Sequence, residues 1–117
     1  MRQVIARIDS IKFGEITINK KTYYSDVLID VDGKVELMQK KHMVDIDDFI
    51  ILSKKKPEFI VIGTGLQDMV RVSDKVIQIA EDSKIKLYVD PSPKAADVFN
   101  GLLAQGKKTA ALIHTTC

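Results

Sequence analysis

The sequence predicts an α/β fold: a single three-layer domain over residues 1–117, built on a mixed β-sheet with N-terminal antiparallel hairpins and a C-terminal βαβαβ half. The first observation is alternation in the second half. Apolar runs at 58–62, 85–89 and 109–113 are separated by amphipathic helical patterns, and strand–helix alternation is the mark of a parallel sheet with helical crossovers. The second is period-two patterning in the first third, where short alternating segments are punctuated by Gly14, Asn19 and Asp32-Gly33. That pattern belongs to hairpins.

Taken in order, Ile8 to Phe13 and Glu15 to Ile18 alternate apolar with polar residues around Gly14, and Asn19-Lys20-Lys21-Thr22 reads as a turn. Val27, Ile29 and Val31 alternate up to Asp32-Gly33, and Val35 and Leu37 resume the pattern. Asp-Gly between alternating runs predicts a tight hairpin with both turn residues at positive φ. A polar connector, Gln39-Lys40-Lys41-His42, precedes a first helix. Asp45 is its N-cap, Asp47 and Asp48 complement its dipole, Ile46, Phe49 and Ile50 share a face, and Pro57 lies beyond its end. A second helix spans about 73–83 with Val76, Ile79 and Ala80 inward. A third has Ser92 as N-cap, Pro93 at its first helical position, and a stripe of Ala95, Val98, Phe99, Leu102 and Leu103 that ends at Gly106. The expected core is Phe59, Val61, Leu87, Val98, Phe99, Leu102, Leu112 and Ile113. The strands at 58–63 and 85–89 are expected to be parallel and linked by a right-handed crossover.

Composition narrows the function classes. A chain of 117 residues with 45% hydrophobic and 29% charged residues buries roughly two-thirds of its unfolded surface and needs neither disulfide nor metal to fold. A net charge of +2 is too small to point to nucleic acid or an anionic membrane. The one cysteine, Cys117, cannot form an internal disulfide, and no apolar run has the length of a membrane span. Met1 to Arg7 reads as strand-like, with no secretory or mitochondrial leader pattern. The expected compartment is cytoplasmic.

Ligands of α/β sheets bind at the carboxyl ends of parallel strands, which directs attention to Gly63-Thr64-Gly65, Asp90 and His114. Glycines after a buried strand let backbone N–H groups face an anion. The competing reading is a tight turn. The segment has neither the third glycine of a dinucleotide fingerprint nor the Gly-Lys-Ser/Thr of a phosphate loop. His114 closes the last strand as a titratable group, or as a strand-end residue bonded to a loop. Asp90 holds a ribose hydroxyl or a cation, or organises the turn before Pro91. A His114–Cys117 pair needs a turn between its members, because residues three apart on a strand point to opposite faces. A zinc site from His42, His114 and Cys117 has no supporting spacing. The lysines at 40–41 and 54–56 read as solvated faces. No cofactor or metal motif and no complete catalytic constellation is present.

Longer patterns carry a resemblance. Lys41-His42-Met43-Val44-Asp45, Lys56-Pro57-Glu58, Ile62-Gly63-Thr64-Gly65, Pro91-Ser92-Pro93-Lys94-Ala95, Phe99-Asn100 and the run from Ala110 to Cys117 resemble a small family of domains of unknown function. Its animal members include a mitochondrial respiratory complex I assembly factor and an adipogenesis-associated protein. The resemblance covers nearly the whole chain and is strongest from Lys41 onward. It implies a three-layer α/β domain around a mixed sheet, no established catalytic residues, and a pocket lined by Gly63, Thr64, Gly65 and His114. Asp90-Pro91-Ser92 departs from the Pro-Thr-Pro-type segment of relatives, and without a presequence the complex I role does not carry over.

Two functions follow as expectations. The first is a non-enzymatic protein-interaction or assembly module with an unidentified protein partner. The second is a binder, or weak enzyme, for a small anionic ligand such as a nucleotide or phosphorylated metabolite at the Gly63-Thr64-Gly65 edge. If the last strand runs parallel to that at 58–63, His114 joins the glycine turn at this edge.

Overall fold

The computed structural model describes residues 5–117. The strand-like reading of Met1 to Arg7 therefore falls partly outside the described residues. Three sheets are present among them. The first is an antiparallel meander of β1 (Ile8–Lys12), β2 (Glu15–Ile18) and β3 (Lys21–Tyr23). Its second turn is shorter than expected. Only Asn19 and Lys20 occupy it, both at positive φ (50° and 68°), and Lys21 and Thr22 already belong to β3. That is the backbone a two-residue hairpin loop prefers.

The central sheet has five strands in the order β5-β4-β10-β7-β9. Strand β4 is Asp26–Ile29 and β5 is Val35–Met38; β7 is Phe59–Thr64, β9 is Lys86–Asp90 and β10 is Thr109–His114. Strands β7, β9 and β10 are parallel, as expected, and β4 and β5 complete the sheet antiparallel. The β4–β5 turn differs from the sequence reading. Only Gly33 is at positive φ (84°), and the bonds Gly33 N–H to Asp30 O (2.9 Å) and Asp30 N–H to Lys34 O (3.0 Å) define a three-residue loop with a glycine bulge. The Asp30 carboxylate accepts from the amides of Asp32 and Lys34. It thereby stabilises a turn in which Asp32 is not at positive φ. Val31 leaves the strand but stays buried in the turn. A third sheet pairs β6 (Met43–Val44) in parallel with β8 (Arg71–Val72), and two-residue strands are too short for periodicity to reveal.

Helices α1 (Ile46–Ser53), α2 (Asp74–Asp82) and α3 (Ser92–Ala104) take the expected places. Helix α1 starts in a capping box. Asp45 accepts from the Asp47 amide, and Asp48 accepts from the Asp45 amide. Asp48 also holds the Lys41 ammonium at 2.8 Å, and this bond raises the Lys41 pKa above its ordinary value. Its inward face is Phe49 and Leu52; Ile50, expected inward, is exposed. Helix α3 differs at its start. Pro91 is the N-cap, so Ser92 is the first helical residue and makes no cap bond. Its end is a Schellman closure, with Gly106 N–H to Leu103 O and Lys107 N–H to Leu102 O.

The three layers follow from which face each helix covers. On one side of the central sheet, α3 and the β1–β3 meander enclose Ile8, Ile16, Ile18, Val61, Phe99, Ala111 and Ile113. On the other, α1 and α2 enclose Phe49, Leu52, Ile60, Ile62, Val76 and Leu112. Asn100 fastens meander to helix, donating to Ile8 O and accepting from Ile8 N–H (2.8 Å each). Of the expected core, Val61, Phe99, Leu112 and Ile113 are buried. Phe59, Leu87, Val98 and Leu102 are only half-buried: Phe59 is the first residue of β7, Leu87 lies on β9 at the sheet edge, and Val98 and Leu102 flank the inward face of α3. No helix among the described residues is long and apolar enough to cross a membrane.

Candidate functional site

Strand order fixes the site region. From β7 the chain passes through α2 to β9 on one side, then through α3 to β10 on the other. The two connecting helices lie on opposite faces. The carboxyl ends of β7, β9 and β10 thus form the switch point at which such sheets open a crevice. All five residues singled out in the sequence converge there. Thr64 is the register partner of His114, and Gly63 that of Asp90.

The two faces of this edge differ. On the α3 face, Ser92 Oγ accepts from Gly65 N–H (2.8 Å) and donates to His114 O (2.5 Å), while Ser92 N–H donates to Gly65 O (3.0 Å). A Cβ on Gly63 would stand 2.7 Å from Ser92 Oγ, so Gly63 is set by this close approach. On the opposite face lie Thr64 and His114. Thr64 Oγ1 donates to Asp68 Oδ1 (2.5 Å) and sits 3.1 Å from Asp90 O. His114 Nδ1 is 2.9 Å from Gly63 O. A carbonyl can only accept, so Nδ1 is the donor of this bond.

The glycine turn does not offer its N–H groups to solvent. Gly65 N–H goes to Ser92, Leu66 N–H to Thr116 O, and the amides of Gln67 and Met69 to Cys117 O (3.1 and 3.0 Å). Gly65, at φ 99°, lies so close that a Cβ would overlap the Cys117 carbonyl. The chain's own segment 115–117 occupies the positions that an anion would take. That segment is also held by the Gly14 amide on Thr115 O (2.7 Å) and by Asp26, whose Oδ1 accepts from Thr115 N–H (2.7 Å) and Oγ1 (3.1 Å).

Asp26 was not singled out in the sequence. It is buried, and its Oδ2 is, among the described residues, the buried side-chain polar atom without a partner. The β4–β10 register, continued by one pair, sets it opposite His114. An aspartate before an apolar strand is indistinguishable in sequence from a solvated one. Asp90 holds Lys94 at 3.5 Å across one helical turn and supplies its carbonyl to Thr64. His42 is exposed, and its carbonyl serves the β6–β8 pair through Arg71 N–H (3.0 Å). Among the described residues no three His, Cys, Asp or Glu side chains converge as a metal cluster.

Beyond Thr64 and Asp68 an open cleft of about 960 Å³ extends between β8, the start of α2 and β9. Arg71, Ser73, Asp74 and Lys75 line it with Met43, Met69 and Val89. These three apolar residues are 47%, 60% and 41% exposed. The sequence signalled only the Thr64 end. The cleft itself depends on the β6–β8 pair.

With fold and site in place, the relatives are informative. The model of the family described as "Protein of unknown function (DUF498/DUF598)" matches residues 8–114. The chain belongs to this family. Solved structures of the same fold include a protein titled "MT938", 25% identical, with 96% of this chain and 99% of that one covered at a TM-score of 0.82. A conserved hypothetical protein from Pyrococcus horikoshii OT3 is 22% identical over 95% and 99% of the two chains, with a TM-score of 0.85. A Bordetella pertussis protein titled a Mth938-like domain is 12% identical over 98% and 89%, with a TM-score of 0.68.

Proposed function

We propose that this domain is a non-enzymatic protein-interaction module whose working surface is the cleft beside β8 and α2, and that its occupant is a protein segment that inserts apolar side chains between Met43, Met69 and Val89. The carrying observation is the exposure of these three residues around one concavity, since flexible methionines at a rim suit the docking of protein side chains. Charge supports the same reading. Arg71 and Lys75 are offset by Asp68 and Asp74 within the cleft, so the site has no net pull on an anion.

The second reading, a small anionic ligand, is favoured by one observation: Arg71 and Lys75 stand beside the first turn of α2 and have no ion-pair partner closer than 4.0 Å among the described residues. A photo-crosslinking amino acid at position 69, used in the cell, separates the two. A discrete protein adduct that disappears in the Met43→Asp variant supports the module. No adduct, together with a nucleotide or sugar phosphate that stabilises the domain by about 2.7 kcal/mol at a hundredfold excess over its Kd and loses that effect in Arg71→Ala, replaces it with the anion binder.

A further inference from the structure

We infer that the outer edge of β9 is a self-association surface, on which a second copy of this chain adds its own β9 antiparallel and joins the two five-stranded sheets into one. Strand β9 ends the central sheet and pairs only with β7 among the described residues. Lys86 N–H donates to Glu58 O on the β7 side. In a parallel ladder successive residues alternate between the two sides of the strand. Tyr88 therefore also addresses β7, while the N–H and C=O groups of Leu87 and Val89 address the open edge. That leaves two donors and two acceptors in a row, a template for another strand.

The sequence of the strand selects what pairs with it. Lys86-Leu87-Tyr88-Val89-Asp90 is basic at one end, acidic at the other and aromatic at the centre. Antiparallel pairing about Tyr88 sets Lys86 opposite the partner's Asp90, and Asp90 opposite the partner's Lys86. Leu87 faces the partner's Val89, and Tyr88 the partner's Tyr88. This register is also the one that backbone bonding requires. Leu87 and the partner's Val89 each present outward N–H and C=O groups, so they form a hydrogen-bonded pair, and the mirror pair does the same. Charge order and bonding order thus agree on a single two-fold arrangement, as an isologous contact demands. The side chains agree as well. Val89, 41% exposed, gains an apolar neighbour on the α2 face. On the α3 face Tyr88, already stacked on Phe59 at 6.1 Å, meets its own copy.

The other edge of the same sheet lacks these properties. Strand β5 is Val35-Glu36-Leu37-Met38 and carries an acid with no base to answer it on a second copy. The edge of β9 also has no bulge in its pairing, and its proline, Pro91, comes only after the strand, so neither device turns another strand away. The inference does not depend on what fills the cleft, although Val89 belongs to both surfaces.

The test is a charge exchange read by sedimentation and by hydrogen exchange of the intact chain. The wild type is expected to sediment at about twice 13.1 kDa at high concentration, with the Leu87 and Val89 amides becoming more protected as concentration rises. Lys86→Asp and Asp90→Lys each set like charges opposite one another twice per dimer. Each is expected to weaken association by roughly tenfold or more, and Lys86→Asp with Asp90→Lys in one chain is expected to restore it. A wild type that stays at 13.1 kDa at high concentration overturns the inference. So does a dimer that neither single exchange weakens, or one in which the Leu87 and Val89 amides exchange at a rate independent of concentration. Retained folding of each variant is read from its circular dichroism. Met43→Asp, which alters the cleft on β6 and not on β9, is expected to leave the sedimentation unchanged.

Discussion

Ser92 offers the sharpest check on the site geometry, because its hydroxyl supports two different structural elements at once. It accepts from Gly65 N–H and donates to His114 O in a fully buried position. Ser92→Ala leaves a buried amide and a buried carbonyl without partners. An orphaned buried group costs about 1–3 kcal/mol, and the two together, partly relieved by relaxation, predict a loss of roughly 2–4 kcal/mol. For a domain of this size that is a fall in Tm on the order of 10 °C. A helix cap at the same position predicts about 1 kcal/mol for alanine. The decisive variant is Ser92→Asp. Aspartate is as good a cap as serine, so capping predicts no change. In the observed geometry a carboxylate has no proton to give to His114 O, and it is buried without a cation. The expected loss is then greater than for alanine. Urea denaturation of the three proteins measures both quantities. A Ser92→Asp protein as stable as the wild type, with alanine costing under about 1 kcal/mol, refutes this account of the edge.

Two further expectations concern charge and packing. Although burial works upward on the Asp30 carboxyl, the bond from Lys55 and the amides of Lys34 and Asp32 outweigh it and hold its pKa below 3.8; its contribution to stability is therefore complete above about pH 3.8 and fades as the pH falls through the lower folded value, and urea midpoints measured down this acid limb are flatter in Asp30→Asn. Phe99, fully buried against the central sheet, is expected to lose about 3–5 kcal/mol on truncation to alanine, and half-buried Leu102 less than that; thermal melts that rank the two variants in the reverse order contradict the docking of α3.

Much of the fold was legible because its signals were local or periodic. The N-cap at Asp45, the Gly106 stop and the three apolar runs each announce an element without reference to the rest of the chain. The parallel β7–β10 pair was accessible through the short links around α3. What could not be read depends on tertiary company. Ser92 looks like a cap because Ser-Pro usually is one, and only the approach of Gly65 turns its hydroxyl inward. Asp26 looks solvated until Thr115 arrives from 89 residues away. Ile50 fits the stripe of an amphipathic helix, but α1 is covered on only one side, along Phe49 and Leu52. At the candidate site, the placement of Thr64 and His114 followed from strand ends, whereas the filling of the glycine turn by 116–117 followed from no pattern at all.

The position of β10 bears on how the chain comes to be made. Every other strand of the central sheet precedes it in sequence, yet it lies third of five, bonded to β4 on one side and β7 on the other. A chain emerging from the ribosome therefore has its hairpins and its β7–α2–β9–α3 unit complete while no strand of the central sheet joins them. Two strand edges and both apolar faces stay open until residues 109–113 appear. The final insertion closes contacts of very long sequence separation, such as Gly14 with Thr115, and such closures are slow and leave chains prone to aggregation. Burden on chaperones should thus fall in the interval before residues 109–113 emerge, and a chain stopped before residue 109 is the form a cell would most need to clear.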